Sequence, residues 1–213
     1  MVPSELIRVV VVATVMVGIR SHIKPEAIQE YLDICTNVTN KPFFDLSMVV
    51  RKKWTIYYNW NLKLDDACPQ LFFKYPNDLV IKRIYKAMSG HLKTEPSWHD
   101  AVLVMTIGPS REMLLFNDPS GTPGRFLGVP NMREEDVLYM FGATKLPLFA
   151  MAMKLIQKGK YLLSSDCRVG VTSLALHEAQ VPTRVEIDAV AATLHFGDGF
   201  PSCINGPDPE EKK

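Results

Sequence analysis

The chain carries almost no net charge. Its 24 basic and 23 acidic residues leave a formal +1. That balance excludes a strong global field for nucleic acid or anionic lipid and leaves only local patches. Cysteine is scarce. Cys35, Cys68, Cys167 and Cys203 form no CxxC pair, and the sequence alone leaves their three pairings open. Secreted disulfide scaffolds are shorter and denser in cysteine, so these four read as free thiols in a reducing compartment. Cys35 and Cys68 read as core fillers. Histidine pairs are absent too. His22, His91, His99, His177 and His195 include no HxxxH or HxH spacing, and no metal ligand set emerges.

Long apolar runs are also missing, with one exception. Val9 to Ile19 reads VVVVATVMVGI between Arg8 and Arg20. It falls short of the ~20 residues needed to span a bilayer. No A-x-A-like cleavage site follows it, so it reads as a buried strand rich in β-branched residues rather than as a leader. No transmembrane segment is expected. The expected location is intracellular, not secreted.

What is present is a globular composition, 47% hydrophobic and 22% charged over 213 residues. The pattern predicts one α+β domain over residues 1–200 and a disordered tail over 201–213. In it, about four helices pack on an antiparallel sheet, with one long Gly/Pro loop. Leu6–Ile19 is the first strand. Ile28, Tyr31, Leu32 and Cys35 then form one helical stripe after Pro25. Phe44 to Val50 alternates as a strand. Period-two alternation over Trp54–Leu64 predicts a strand with Trp54, Ile56, Tyr58 and Trp60 on one face. Asn77 caps a helix carrying Val80, Ile81, Ile84, Tyr85 and Met88. Ala101–Ile107 and Glu112–Phe116 read as a hairpin. Asn117–Pro130, NDPSGTPGRFLGVP, reads as an irregular loop because prolines and glycines break regular structure. Asn131 opens a third helix and Pro147 a fourth, ending at Lys158-Gly159. Val169–Leu176 and Val185–Phe196 close the sheet.

Chemistry-bearing motifs are few. The Gly121/Gly124 loop continues into Arg125-Phe126, and no Gly-Lys-Ser/Thr follows, so a phosphate loop is excluded. Gly170-Val171-Thr172-Ser173-Leu174 is not a GxSxG elbow. His99 and Asp100 would point to opposite faces of a strand, which argues against an acid–base pair. Cys167 lacks a Cys-His signature around it. No catalytic, cofactor or metal residue is predicted. Two surface features remain. Arg125, Phe126 and Leu127 sit on the Gly/Pro loop, where an apolar pair reads either as a contact site or as a loop anchor. Two basic clusters, Lys41 with Arg51-Lys52-Lys53 and Lys154 with Lys158 and Lys160, read as solvated faces able to meet an anionic surface.

The strand Leu6–Ile19, the helix Pro25–Thr36 and the loop Pro119–Pro130 carrying Phe126-Leu127 give an element order that resembles the matrix proteins of plant-infecting rhabdoviruses. That resemblance covers most of the chain as topology. It implies a non-enzymatic assembly protein of the host cytoplasm or nucleus and the virion. Such a protein self-associates and bridges nucleocapsid protein, a glycoprotein tail and anionic membrane, without sequence-specific nucleic-acid binding. The lysine-rich N-terminal arm and the PPxY and PTAP motifs of the animal-virus proteins are absent. Val9–Thr14 followed by Pro25–Ile28 also resembles the opening of the dimeric α+β barrel monooxygenases. That second likeness spans about thirty residues and implies a small-molecule enzyme.

Overall fold

The computed structural model describes residues 33–64, 68–109, 111–132, 145–177 and 181–203. Within them the chain is mostly sheet. Eight strands run up and down in sequence order: β1 (Lys53–Trp60), β2 (Gln70–Lys74), β3 (Ala101–Ile107), β4 (Arg111–Asn117), β5 (Arg125–Pro130), β6 (Phe149–Ile156), β7 (Tyr161–Asp166) and β8 (Val171–Leu176). Every neighbouring pair is antiparallel, and β8 returns to β1, which also pairs with β2. The sheet is therefore a closed barrel. Closure leaves no long unpaired edge, which is how all-β chains avoid edge-to-edge association. A ninth strand, β9 (Gly199–Pro201), pairs with β1 at Tyr58–Trp60. This overturns the α+β expectation of helices packed on an open sheet.

Only three short α-helices and a helical stretch at residues 33–38 accompany the barrel in the described residues: α1 (Leu46–Val49), α2 (Asp78–Met88) and α3 (Arg184–Ala192). α2 forms as expected. The Asn77 side chain accepts from the Val80 amide at 2.9 Å, and Val80, Ile84 and Met88 are buried at i, i+4 and i+8. Each such side chain contributes about 1.5–3 kcal/mol when fully buried. α3 replaces an expected strand at Val185–Phe196. Thr183 caps it, and Ile187, Val190 and Ala191 fall on one helical stripe. The expected strand Phe44–Val50 is instead α1, capped by Asp45. The expected fourth helix is β6. Residues 1–32, with the first strand and most of the first helix, and residues 133–144, with the third helix, lie outside the described residues.

Residues matched across antiparallel ladders share a face. Following the register around the barrel places Trp54, Phe73, Met105, Leu115, Phe149 and Met153 on one face, all essentially inaccessible to solvent. That face is the interior, and large side chains fill it. A bulge at Tyr57 shifts the β1–β8 register between Ile56 and Tyr58. Trp60 therefore points outward, opposite to Trp54, and not along one face as strict alternation predicts. It packs with Tyr161, Leu163 and Leu174 in a second cluster under α3.

The 117–130 segment is not one irregular loop. The turn 118–124 is tight, and Arg125–Pro130 is a full barrel strand between β4 and β6. Gly124 makes the entry fit. Its φ is +79°, its carbonyl accepts from the Met153 amide at 2.7 Å, and a Cβ there would run into the Met153 carbonyl. Gly121 also has positive φ, +68°, but open space around it. Gly124→Ala is expected to cost about 2 kcal/mol or more, and Gly121→Ala only the backbone strain of about 1–2 kcal/mol. Thermal unfolding of both variants checks this. Equal shifts would show that the carbonyl contact is harmless.

Both disulfides are long-range. Cys35 is bonded to Cys167 and Cys68 to Cys203, with separations of 132 and 135 residues. This corrects the free-thiol expectation. The structured part also runs through β9 to Cys203, beyond the expected boundary at residue 200. Among the described residues no helix is long and apolar enough to cross a membrane.

Candidate functional site

A barrel of eight strands is just wide enough for side chains to fill or for one small ligand. Here the interior is occupied by aromatic and methionine side chains. Its polar portion is largely spoken for as well. Asn59 is fully buried, accepts from the Ser173 hydroxyl at 2.8 Å and donates to the Ser202 hydroxyl at 3.3 Å. Ser202 in turn donates to the Ile56 carbonyl at 3.0 Å. This network ties β9 to β1 and β8, which is a structural task. At the same end Asp166 holds Arg168, whose guanidinium lies 3.3 Å from the Phe149 ring centroid. A filled interior directs attention to the ends and the outer face.

At the other end, segment 40–53 crosses the barrel mouth as a plug. The Leu155 amide donates to the Phe43 carbonyl at 2.8 Å, which pins the plug to β6. The Arg51 amide donates to the Phe73 carbonyl at 2.8 Å, which pins it to β2. Between these anchors α1 inserts Val49, and Trp54 Nε1 donates to the Val49 carbonyl at 3.3 Å. Met48 lies against Gly159, so the plug also holds the turn between β6 and β7.

This arrangement gathers the two basic clusters at one end of the barrel. Lys41 and Lys154 stand at the β6 side, Lys158 on the β6–β7 turn, and Arg51, Lys52 and Lys53 at the β1–β2 side. None of these six has a carboxylate partner among the described residues. Lys154 donates to the Asn40 carbonyl at 2.6 Å. Burial pushes its ammonium below the ordinary lysine range, and the charge of Lys41 pushes the same way. Exposed Phe43 stands beside Lys41 and adds an apolar contact to the rim. Lys160 differs from the six. It pairs with Glu186 at 2.9 Å, and the Tyr161 hydroxyl donates to the same carboxylate oxygen at 2.9 Å. These two hydrogen bonds, Lys160 first, hold the Glu186 carboxyl below its usual range. Lys160 therefore fastens β7 to α3.

The loop residues separate. Phe126 is 3% exposed, faces the interior and meets Phe44 edge-on at 5.3 Å. It is wall, not a free contact. Leu127 and Arg125 lie half-buried on the outer face, and the charge of Arg125 helps keep the Asp118 carboxyl low after the Ser120 hydroxyl bond. His99 and Asp100 belong to an exposed 3-10 turn, not to a strand. Cys167 is oxidised. No cluster of metal-binding side chains occurs among the described residues.

No family model, curated protein or solved structure matches this chain. The site must be read from its own geometry.

Sequence reasoning joined the two basic clusters as one anionic-surface contact, and barrel closure with the plug is what brings residues 41, 51–53 and 154–158 to one end. It missed Phe43. Its one signal was an aromatic beside Pro42, ahead of a capping aspartate.

Proposed function

We propose that the protein is an exported binding module that seats the basic end of its barrel on an anionic polysaccharide. The observation that carries this is the set of six cations around one barrel end, none in salt-bridge contact with a carboxylate among the described residues, against the single carboxylate Asp45 in the plug. Unpaired like charges on a rigid rim are held at a cost in self-repulsion and give back that cost when a polyanion arrives. The disulfides favour the compartment. Such bonds persist in oxidising surroundings, where sulfated and carboxylated polysaccharides are the abundant polyanions and cytosolic nucleic acid is not met. The wall position of Phe126 removes a support from the matrix-type assembly reading, and the membrane contact expected for the basic clusters becomes a competing outcome.

Retention on immobilised heparin is the test, with anionic vesicles and duplex DNA as competitors. The protein is expected to bind at low ionic strength and to elute as salt rises. Reversing Arg51, Lys52 and Lys53 to Glu is expected to weaken binding by at least 100-fold, from about 1 kcal/mol per cation near an anionic surface. Equal retention of the native and reversed proteins would sink the proposal. Displacement by vesicles or DNA with no affinity for heparin would reassign the surface to those partners.

A further inference from the structure

The chain contains one N-x-S/T triplet, Asn37-Val38-Thr39. Where such a triplet meets the secretory glycosylation machinery, its asparagine accepts an oligosaccharide, provided the middle residue is not proline. The structure places this triplet so that a glycan fits. Asn37 lies at the end of the helical stretch 33–38 and is exposed, while Ile34, Cys35 and Val38 turn to the barrel and are buried. No hydrogen bond, ion pair or ring contact engages the Asn37 side chain among the described residues. A sugar on its amide nitrogen would displace no contact among the described residues.

The neighbouring disulfide decides when the acceptor is available. In the folded protein the Thr39 hydroxyl donates to the Cys35 carbonyl at 3.0 Å and sits 3.3 Å from the Thr36 carbonyl, and Cys35 is locked to Cys167. The hydroxyl that the machinery must read is thus occupied once the helix forms. The partner cysteine is 132 residues further along the chain. At ordinary synthesis rates it follows on the order of 10 s later. For that interval the helix has neither its covalent tether nor the β6–β7 face on which it rests, so the triplet is open.

We infer that Asn37 is an N-glycosylation site, modified during synthesis before the Cys35–Cys167 bond closes. In the step, Asn37 Nδ2 bonds to the anomeric carbon of an oligosaccharide carried on a polyprenyl diphosphate. The carbon–oxygen bond to phosphate breaks, the lipid diphosphate leaves as the anion, and the amide proton passes to a base. No oxidation or reduction takes place. The site rests on the reading of the protein as exported.

The full chain is expressed in a eukaryotic cell, and two readouts are taken on the same material: gel mobility before and after peptide-N-glycosidase, and thiol labelling by a maleimide without reduction. The expected result is a mobility shift reversed by the glycosidase, absent in N37Q and T39A, retained in T39S, with all four cysteines unlabelled. C35S is expected to keep or raise occupancy, since the helix then stays open longer. Unlabelled cysteines without a glycosidase-sensitive shift would overturn the glycan and leave the exported reading standing. Four labelled cysteines without a shift would overturn both.

Discussion

Replacing Cys68 and Cys203 together by Ser is expected to lower stability by about 4 kcal/mol, within the ~2–5 kcal/mol typical of removing a native disulfide that closes a long loop. For a domain of this size that corresponds to a fall of roughly 10 °C in Tm. The reason lies in how β1 is shared. Its first residues, Lys53–Thr55, pair with β2, and its last, Tyr58–Trp60, pair with β9. Both partners lie along the same edge, so the barrel seam is closed by two short ladders of three residues each. Cys68 precedes β2, Cys203 follows β9, and the bond between them joins the two half-seals into one. Without it each ladder opens on its own. Amide hydrogen exchange checks the location as well as the size of the effect. Exchange is expected to rise most at β1, β2 and β9. The matching pair of substitutions at Cys35 and Cys167 removes a loop of similar length but ties only the helical stretch 33–38 to the β7–β8 turn. Its stability loss is expected to be comparable, with protection in β1 and β9 retained. If both double variants loosened the same amides, the seam would not be what Cys68–Cys203 secures.

The same seam explains much of what the sequence concealed. Local chemistry was readable wherever it was decided locally. Asn77 announces α2 because an amide acceptor ahead of Val80, Ile84 and Met88 satisfies a free N–H and starts one apolar stripe. The β3–β4 hairpin follows from the turn signal of Gly108-Pro109 between two short apolar runs. Closure was not readable, since it depends on β8 meeting β1 more than a hundred residues away. β6 reads as a helix because both of its faces are apolar. Met151, Met153 and Leu155 turn inward while Ala152 lies beneath the 33–38 helix, so no period-two signal survives. β5 was hidden by Gly128 and Pro130. Gly128 is tolerated in that strand because the space of its missing side chain is taken by Met113. The basic site was half legible: its residues were identifiable as exposed cations, but only the plug across the barrel mouth makes them neighbours. The disulfides were misread because density of cysteine is a rule for small scaffolds. A barrel with its own core needs few bonds, and two of long range suffice.

The core variant with the largest expected effect is Trp54→Ala, at about 3–5 kcal/mol. Trp54 is fully buried on the inner face, meets the His177 ring edge-on at 4.7 Å and donates its indole N–H to the Val49 carbonyl at 3.3 Å. It is therefore the bolt between barrel and plug. Truncation leaves a cavity beneath α1 and frees the Val49 carbonyl, so the segment between Phe43 and Arg51 loses its central anchor. The consequence for function is testable because no cation is removed. If the rim owes its geometry to the plug, Trp54→Ala should weaken heparin retention at a temperature where the variant is still folded. Trp54→Phe separates packing from hydrogen bonding. It keeps an aromatic body in the core, loses the donated bond and leaves a buried carbonyl unpaired, for an expected loss of about 1–3 kcal/mol. Its effect on retention should fall between those of the native protein and Trp54→Ala. Thermal unfolding and salt elution of the three proteins give both quantities. Full retention by a folded but destabilised Trp54→Ala protein would show that the cations act from their own strands and turns, and the plug would then be a stability element alone.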